Sequence, residues 1–173
     1  MFDRTGINIM VGKNRTPNKY RCTILFIIKE KGEKMSTLHI HTGYHQAETE
    51  VIREQLIKSN KLKVAYTEEV KINFCIKNEQ DEILGGLVGH TDWGCFFIDI
   101  LWVADSLRGL GKGKELIKSA EKYAREQECS MMRLETFSFQ APDFYKKLGF
   151  IEFGKLENFP KGHTHYYMVK YLN

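Results

Sequence analysis

Apolar residues recur along this chain at two periods, and the period changes at a few sharp boundaries. Residues 71–77 (KINFCIK) alternate, so Ile72, Phe74 and Ile76 share one face of a half-buried strand. Residues 83–91 read as a second strand, in which the Gly85-Gly86 pair points to a bulge or a close backbone approach. The polar turn 78–81 joins these two, and Asp92-Trp93-Gly94 is a tight turn into a third. That third strand, 95–104 (CFFIDILWVA), is apolar apart from Asp99 and predicts a central position. The period then becomes helical over 112–128, with Leu116, Ile117, Ala120, Tyr123 and Ala124 on one side. A strand over 130–137, a short helix over 142–148 and strands over 150–153 and 165–172 complete the pattern. Upstream, 38–42 predicts a first strand. An amphipathic helix over 45–60 carries Ala47, Val51, Ile52 and Leu56 on one side. The order predicts a mixed α/β domain around one sheet. No repeat or low-complexity tract interrupts it.

Length and composition sharpen this picture. The 173 residues suit one domain with a real core, and 42% hydrophobic with 28% charged residues reads as soluble and globular. The longest apolar run, 24–28, is too short to cross a bilayer, and no signal-peptide pattern opens the chain. Cys22, Cys75, Cys95 and Cys129 stand apart, which reads as reduced thiols in a cytoplasmic protein. The net charge of +4 is unevenly spread. Residues 1–34 hold 8 Lys/Arg against 3 Asp/Glu, whereas 35–173 hold 18 against 19. The near-neutral main part has no nucleic-acid footprint and predicts neither nucleic acid nor membrane as partner. Residues 1–20 show no sustained period, and 20–29 predict a strand. The stretch KEKGEKM leads into Met35, as purine-rich codons of a bacterial ribosome-binding site would. Met35 is therefore a candidate natural start, with 1–34 a translated leader, a basic arm or an extra edge strand, and 35–173 the domain.

The most informative stretch is SLRGLGKGKELI, 106–117. Glycines at every second position let backbone N–H groups point inward without Cβ obstruction. At the start of a helix those donors meet the positive end of the macrodipole and form an anion site suited to phosphate. The P-loop pattern is absent, and the dinucleotide fingerprint fails because Lys114 stands where its third glycine belongs. A third pattern fits: R-x-x-G-x-G, as Arg108-Gly109-Leu110-Gly111-Lys112-Gly113. It resembles the pyrophosphate-binding loop of the GNAT superfamily of acyl-CoA-dependent N-acyltransferases. APDFYKKLGF, 141–150, is similar to the superfamily's A-x-x-x-Y-x-x-x-G-F segment, and the element order agrees from residue 38 to 172. One departure stands out. Ser138 occupies the position seven before the Tyr where the superfamily often has Asn, and a hydroxyl offers fewer hydrogen-bonding groups than an amide.

The resemblance implies a central, mixed, mostly antiparallel twisted sheet with helices on both faces and a splayed parallel strand pair that holds CoA. It implies acetyl-CoA as acyl donor, no metal, and direct attack by a primary amine in a ternary complex. The Val103 N–H would polarise the thioester carbonyl, the peptide groups of Leu101 and Trp102 would hold the pantetheine arm, and Tyr145 would protonate the departing thiolate. Arg108 to Lys114, with Leu110 among them, and Ser138 would complete the cofactor site. Lys112 and Lys114 would help neutralise phosphates or be a solvated helix start, and Arg108 would do likewise or brace the loop. Relatives often dimerise through strands at the chain's end, so a homodimer is a further expectation.

On the acceptor side, Asp99 is a lone acid in an apolar strand, with the parity of Leu101 and Val103. Such an acid is costly unless paired or put to use. It reads as the base or amine anchor, or as an ion pair with Arg133. Glu135 is a second acid candidate, and Trp102, Phe137 and Phe139 are candidate walls of an acceptor pocket. His90 reads as a base or, more plainly, as a solvated strand-end residue. His163 and His165 would share one strand face, too few ligands for zinc. The expected function is acetylation of a small-molecule amine. Acetylation of a protein N-terminus or lysine, and non-catalytic sensing of acyl-CoA, are the alternatives.

Overall fold

A computed structural model of the chain describes residues 8–10, 24–29, 35–65 and 68–172. Its backbone divides into two units, Met1–Val64 and Ala65–Asn173. In the first, β1 (Asn8–Met10), β2 (Ile24–Lys29) and β3 (Met35–Ile40) form an antiparallel sheet, followed by α1 (Gln46–Lys61). The three-residue β1 is too short to leave a period in the sequence. The expected single sheet is corrected here. The strand anticipated at 38–42 runs over Met35–Ile40 and pairs with β2, in a three-stranded sheet distinct from the main one. Most of residues 1–34 lies outside the described residues.

The second unit holds a six-stranded sheet of β4 (Val70–Lys77), β5 (Ile83–Asp92), β6 (Cys95–Val103), β7 (Met131–Phe137), β8 (Ile151–Glu157) and β9 (Thr164–Tyr171). The order is β4-β5-β6-β7-β9-β8, antiparallel except for the β6–β7 pair. Helix α2 (Lys112–Glu126) lies between β6 and β7, and the short α3 (Pro142–Lys147) follows β7. Trp93 and Gly94 both take positive φ, +52° and +70°, the twist that a two-residue hairpin turn requires.

The core forms where α2 meets the sheet. Leu116, Ile117, Ala120 and Ala124 bury the helical stripe against Leu87, Phe96, Ile98, Met132, Leu134 and Met168. Ile72, Phe74 and Ile76 pack against this cluster from β4, as their alternation predicts. The glycine pair in β5 answers both of its expectations. The ladder to β4 slips beside Gly85, and a Cβ on Gly86 would stand 3.0 Å from the Phe74 carbonyl oxygen. A part-buried Lys170–Glu121 bridge of 2.6 Å ties β9 to α2. Burial pushes the Glu121 carboxyl up, but hydrogen bonds from Lys170 and Arg125 outweigh it, and the net shift is downward. Among the described residues no helix is long and apolar enough to cross a membrane.

Candidate active site

Strands β6 and β7 pair only over Cys95–Ile98 and Met131–Leu134. Beyond that point β6 stays with β5 as far as Val103, and β7 stays with β9 as far as Phe137. The two therefore part and leave a fork. The Ala104 N–H donates to the Leu84 carbonyl on β5. Because peptide groups alternate along a strand, those of Leu101 and Val103 face the gap, and those of Trp102 belong to the β5 ladder. Arg108 Nε reaches the Val103 carbonyl oxygen at 3.4 Å.

The glycine loop closes one side of the fork. Gly109 and Gly111 take φ of +77° and +76°, with open space where a Cβ would stand. Backbone conformation, not crowding, calls for glycine at both. Gly111 is the N-cap of α2, no side chain caps the helix, and its first bond runs from Glu115 N–H to the Gly111 carbonyl at 3.1 Å. The N–H groups just before Glu115 thus lack an intrahelical acceptor and carry the positive end of the dipole. At Gly113 a Cβ would stand 3.3 Å from the Phe144 ring, so the loop sits tightly against α3. Two loop cations are engaged with acids at 2.8 Å: Arg108 with Asp105, and Lys112 with Glu115.

The fork, the loop and α3 enclose a cleft of about 1040 Å³. It brings together Asp99, the run Leu101–Val103, Arg108, Gly109, the run Gly111–Lys114, Glu135, Phe139 and Tyr145. Tyr145 is buried, edge-on to Phe144 and Phe150, and burial raises its phenol pKa. Leu110, Ser138, Phe137 and His90 lie outside this lining. Leu110 is exposed. The Ser138 hydroxyl accepts the Thr164 N–H at 3.1 Å and ties β7 to β9. Phe137 stacks between Phe139 and His165. Sequence reasoning missed Gln140, Phe144 and Lys147, which also line the cleft. Gln140 Oε1 accepts the Phe137 N–H at 2.8 Å and holds the turn that precedes α3. Their position inside the A-x-x-x-Y segment and the turn before it was the available signal.

The sheet face away from α2 carries a different set. Asp99 is a bulge residue: Val88 pairs with Ile100 and Gly89 with Ile98, so Asp99 has no partner across the ladder. The bulge reverses the side-chain alternation. Phe96 and Ile98 enter the core before it, Leu101 and Val103 pack against the core after it, and Ile100 is exposed. The parity argument for Asp99 fails for this reason, and the carboxylate is half-exposed, not buried. Its partner is His90, Nδ1 to Oδ2 at 2.9 Å, and not Arg133. His90 stacks on Phe97, and Arg133 stands 5.0 Å from the centre of the same ring.

Glu135 is held on both oxygens, Oε1 by Arg133 at 3.3 Å and Oε2 by His165 Nε2 at 3.1 Å. His165 is buried against Phe137 and Tyr167, and its Nδ1 is buried without a hydrogen-bond partner. An unmet buried polar atom of this kind costs about 1–3 kcal/mol. The two histidines do not share a strand face. His163 precedes β9 in the turn, with Nδ1 3.4 Å from Ser138 Oγ. Among the described residues no group of three His, Cys, Asp or Glu could hold a metal ion. Phe97, Asp99, Arg133 and Glu135 wall a second cavity of about 310 Å³, and Asp99 and Glu135 line both cavities.

A forked parallel pair with a glycine-capped helix start at its opening defines an acyl-CoA-type transferase, and comparison with known proteins agrees. Residues 33–150 match the model of the acetyltransferase (GNAT) family, and the chain belongs to that family. A blasticidin-S acetyltransferase from Streptomyces morookaense is 42% identical over 95 residues, covering 54% of this chain and 70% of that protein. The crystal structure of an acetyltransferase from Bacillus cereus superposes with a TM-score of 0.71 at 35% identity, covering 75% of this chain and 95% of that one. A Bacillus anthracis protein solved in complex with acetyl coenzyme A shares the fold with a TM-score of 0.53 at 18% identity. It covers 96% of this chain and 98% of its own. The protein is an acetyltransferase of the GNAT type, a class that uses acetyl-CoA.

Proposed function

We propose that the protein moves the acetyl group of acetyl-CoA to a primary amine of a small molecule, by direct attack in a ternary complex. The observation that carries this reading is the cleft itself. One end offers free backbone N–H groups at a helix start, and the other offers two half-exposed carboxylates. The first suits a pyrophosphate and the second a cationic amine. The blasticidin-S acetyltransferase relative supports a small-molecule acceptor.

An alkyl ammonium, with a pKa of ~10.4, is no nucleophile until it loses a proton. Asp99 takes that proton directly or through water. The amine nitrogen then attacks the thioester carbonyl carbon, and the C–N bond forms as the carbonyl oxygen becomes an oxyanion. The Val103 N–H faces the gap and suits that oxygen. As the oxyanion re-forms the carbonyl and the C–S bond breaks, Tyr145 gives its phenolic proton to the sulfur. Its raised pKa keeps that proton in place until the thiolate develops. The second proton of the attacking nitrogen passes through water to the Tyr145 phenolate. That leaves a neutral amide, a neutral thiol and the first proton on Asp99, to be released to solvent. Backbone at Leu101 steadies the pantetheine arm, and Gly111 to Lys114 take the phosphates.

The test is thiol release from acetyl-CoA across a panel of small amines, with Tyr145→Phe beside the parent protein. Turnover of one amine class, lost in Tyr145→Phe, is the expected result. No turnover of any amine by a protein that binds acetyl-CoA overturns the reading in favour of a protein acceptor or a sensor.

A further inference from the structure

Two carboxylates stand at the fork, and each has an imidazole partner, but the two pairs are built differently. Asp99 is held on one oxygen by His90. Glu135 is held on both, and one of its holders is a buried histidine whose other nitrogen has no partner. Nε2 of His165 lies 3.1 Å from Glu135 Oε2, and a carboxylate only accepts, so a proton on Nε2 is what this contact calls for, with Nδ1 buried and unpartnered. The ring lies among Phe137, Phe159 and Tyr167, with centroid distances of 4.3, 5.9 and 4.7 Å. A phenylalanine would fill that cage and leave no polar atom unmet. The imidazole therefore earns its place through Glu135.

We propose that His165 is a positioning residue for the acceptor. From inside the aromatic cage it locks the Glu135 carboxylate at the mouth of the fork, where Glu135 and Asp99 together cradle the ammonium of the incoming amine. The proposal rests on the acyltransferase reading above. It adds a division of labour: Glu135, with both oxygens already engaged, holds the charge, and Asp99, with one oxygen engaged, is left to take the proton. Arg133 completes the clamp from the other side, braced on Phe97. The acceptor this cradle fits is an unhindered primary amine, cationic in solution, that enters through the 310 Å³ cavity these residues wall.

The experiment compares His165→Phe, His165→Gln and Glu135→Gln with the parent, measuring kcat and KM separately for amine and acetyl-CoA. His165→Phe is expected to raise the amine KM about tenfold with the acetyl-CoA KM unchanged. His165→Gln, which keeps a donor, recovers part of the loss. Glu135→Gln gives the same rise, and adding His165→Phe to it changes little more. An unchanged amine KM in His165→Phe, or an equal rise in the acetyl-CoA KM, overturns the proposal. If His165→Phe does not fold, Glu135→Gln and His165→Gln decide it by the same KM comparison. A readout without turnover is the nitrogen-15 spectrum of the His165 ring in the resting protein. The proton is expected on Nε2, and a ring protonated only on Nδ1 overturns the clamp. Absence of any turnover by the parent would instead count against the acyltransferase reading.

Discussion

The two sides of the fork are made of different material. The side facing the glycine loop is written in backbone: the peptide groups of Leu101 and Val103, and the free N–H groups at the start of α2. At Gly113 the lack of a side chain lets the loop pack against Phe144, and Arg108 pairs with Asp105 at the surface. The other side is written in side chains, and residues 90, 99, 133, 135 and 165 meet only because the sheet register brings them together. The contrast teaches what each side recognises. On the proposed reading, backbone donors would meet features shared by every acyl-CoA, whereas paired side chains could be exchanged to fit another acceptor without disturbing the fold.

The proposed role of Tyr145 lies at the step where donor and acceptor meet, so its loss has the largest expected effect. Tyr145→Phe is expected to lower kcat by about 10²–10⁴-fold, the usual range for a general acid, with both KM values near the parent's. A rise in acetyl-CoA KM with kcat intact would move Tyr145 into the binding wall alone. The same residue sets a pH expectation. Its folded pKa is raised by burial above the ordinary value of 10.0. The unfolded chain therefore releases this proton first as pH rises. The stability linked to Tyr145 is complete below pH ~10 and is lost above it, as pH climbs toward the folded pKa. Chemical denaturation across that range should show a shallower loss in Tyr145→Phe than in the parent.

Asp99→Asn cuts the acceptor side only. We expect kcat to fall by about 10²-fold, the lower end for loss of a base, with acetyl-CoA KM unchanged. Rate and KM both at parent values would mean that Asp99 only pairs with His90. Gly111→Ala cuts the donor side only. A Cβ at φ +76° costs about 1–2 kcal/mol, and the loop relieves it by moving its N–H groups off the phosphate position. Acetyl-CoA KM should rise about tenfold while amine KM holds, as steady-state kinetics with each substrate varied will show. Equal effects on both substrates from either variant would break the distinction between the two sides.

The same contrast explains what could be read in the sequence. The loop and the A-x-x-x-Y segment are local, so Arg108 to Lys114 and Tyr145 were legible as a pattern, and the cleft lining includes all of them except Leu110. The alternation of Ile72, Phe74 and Ile76 and the stripe from Leu116 to Ala124 were legible because one helix and one sheet face make the core. The bulge at Asp99 was not, since one extra residue in a strand leaves no trace in an apolar run, yet it decides which face the acid takes. The partner of Glu135 was not legible either. His165 lies 30 residues away, and only the Phe137–His165 register shows that they meet. Nor did the position of Ser138 in the pattern show that its hydroxyl accepts the Thr164 N–H of β9.

The smallest effect comes from a variant that touches neither side. Glu121 bridges α2 to β9 through Lys170, on residues that line neither cavity. Its carboxyl pKa is lowered in the fold from an ordinary 4.5, because the Lys170 and Arg125 hydrogen bonds outweigh desolvation. The folded state thus gives up this proton more readily than the unfolded chain. The linked stability is present above pH 4.5 and is lost as pH falls through the lowered value. Glu121→Gln should cost about 1–2 kcal/mol at neutral pH, as a charge-assisted bond becomes a neutral one. The cost should shrink in acid, where the parent carboxyl is itself neutral, and both KM values should stay put. Denaturant melts at pH 7 and at pH 3 check the first point, and kinetics the second. An altered acetyl-CoA KM in Glu121→Gln would show that the packing of α2 on the sheet feeds into the phosphate loop. In that case the donor side could no longer be treated as a rigid frame independent of the core behind it.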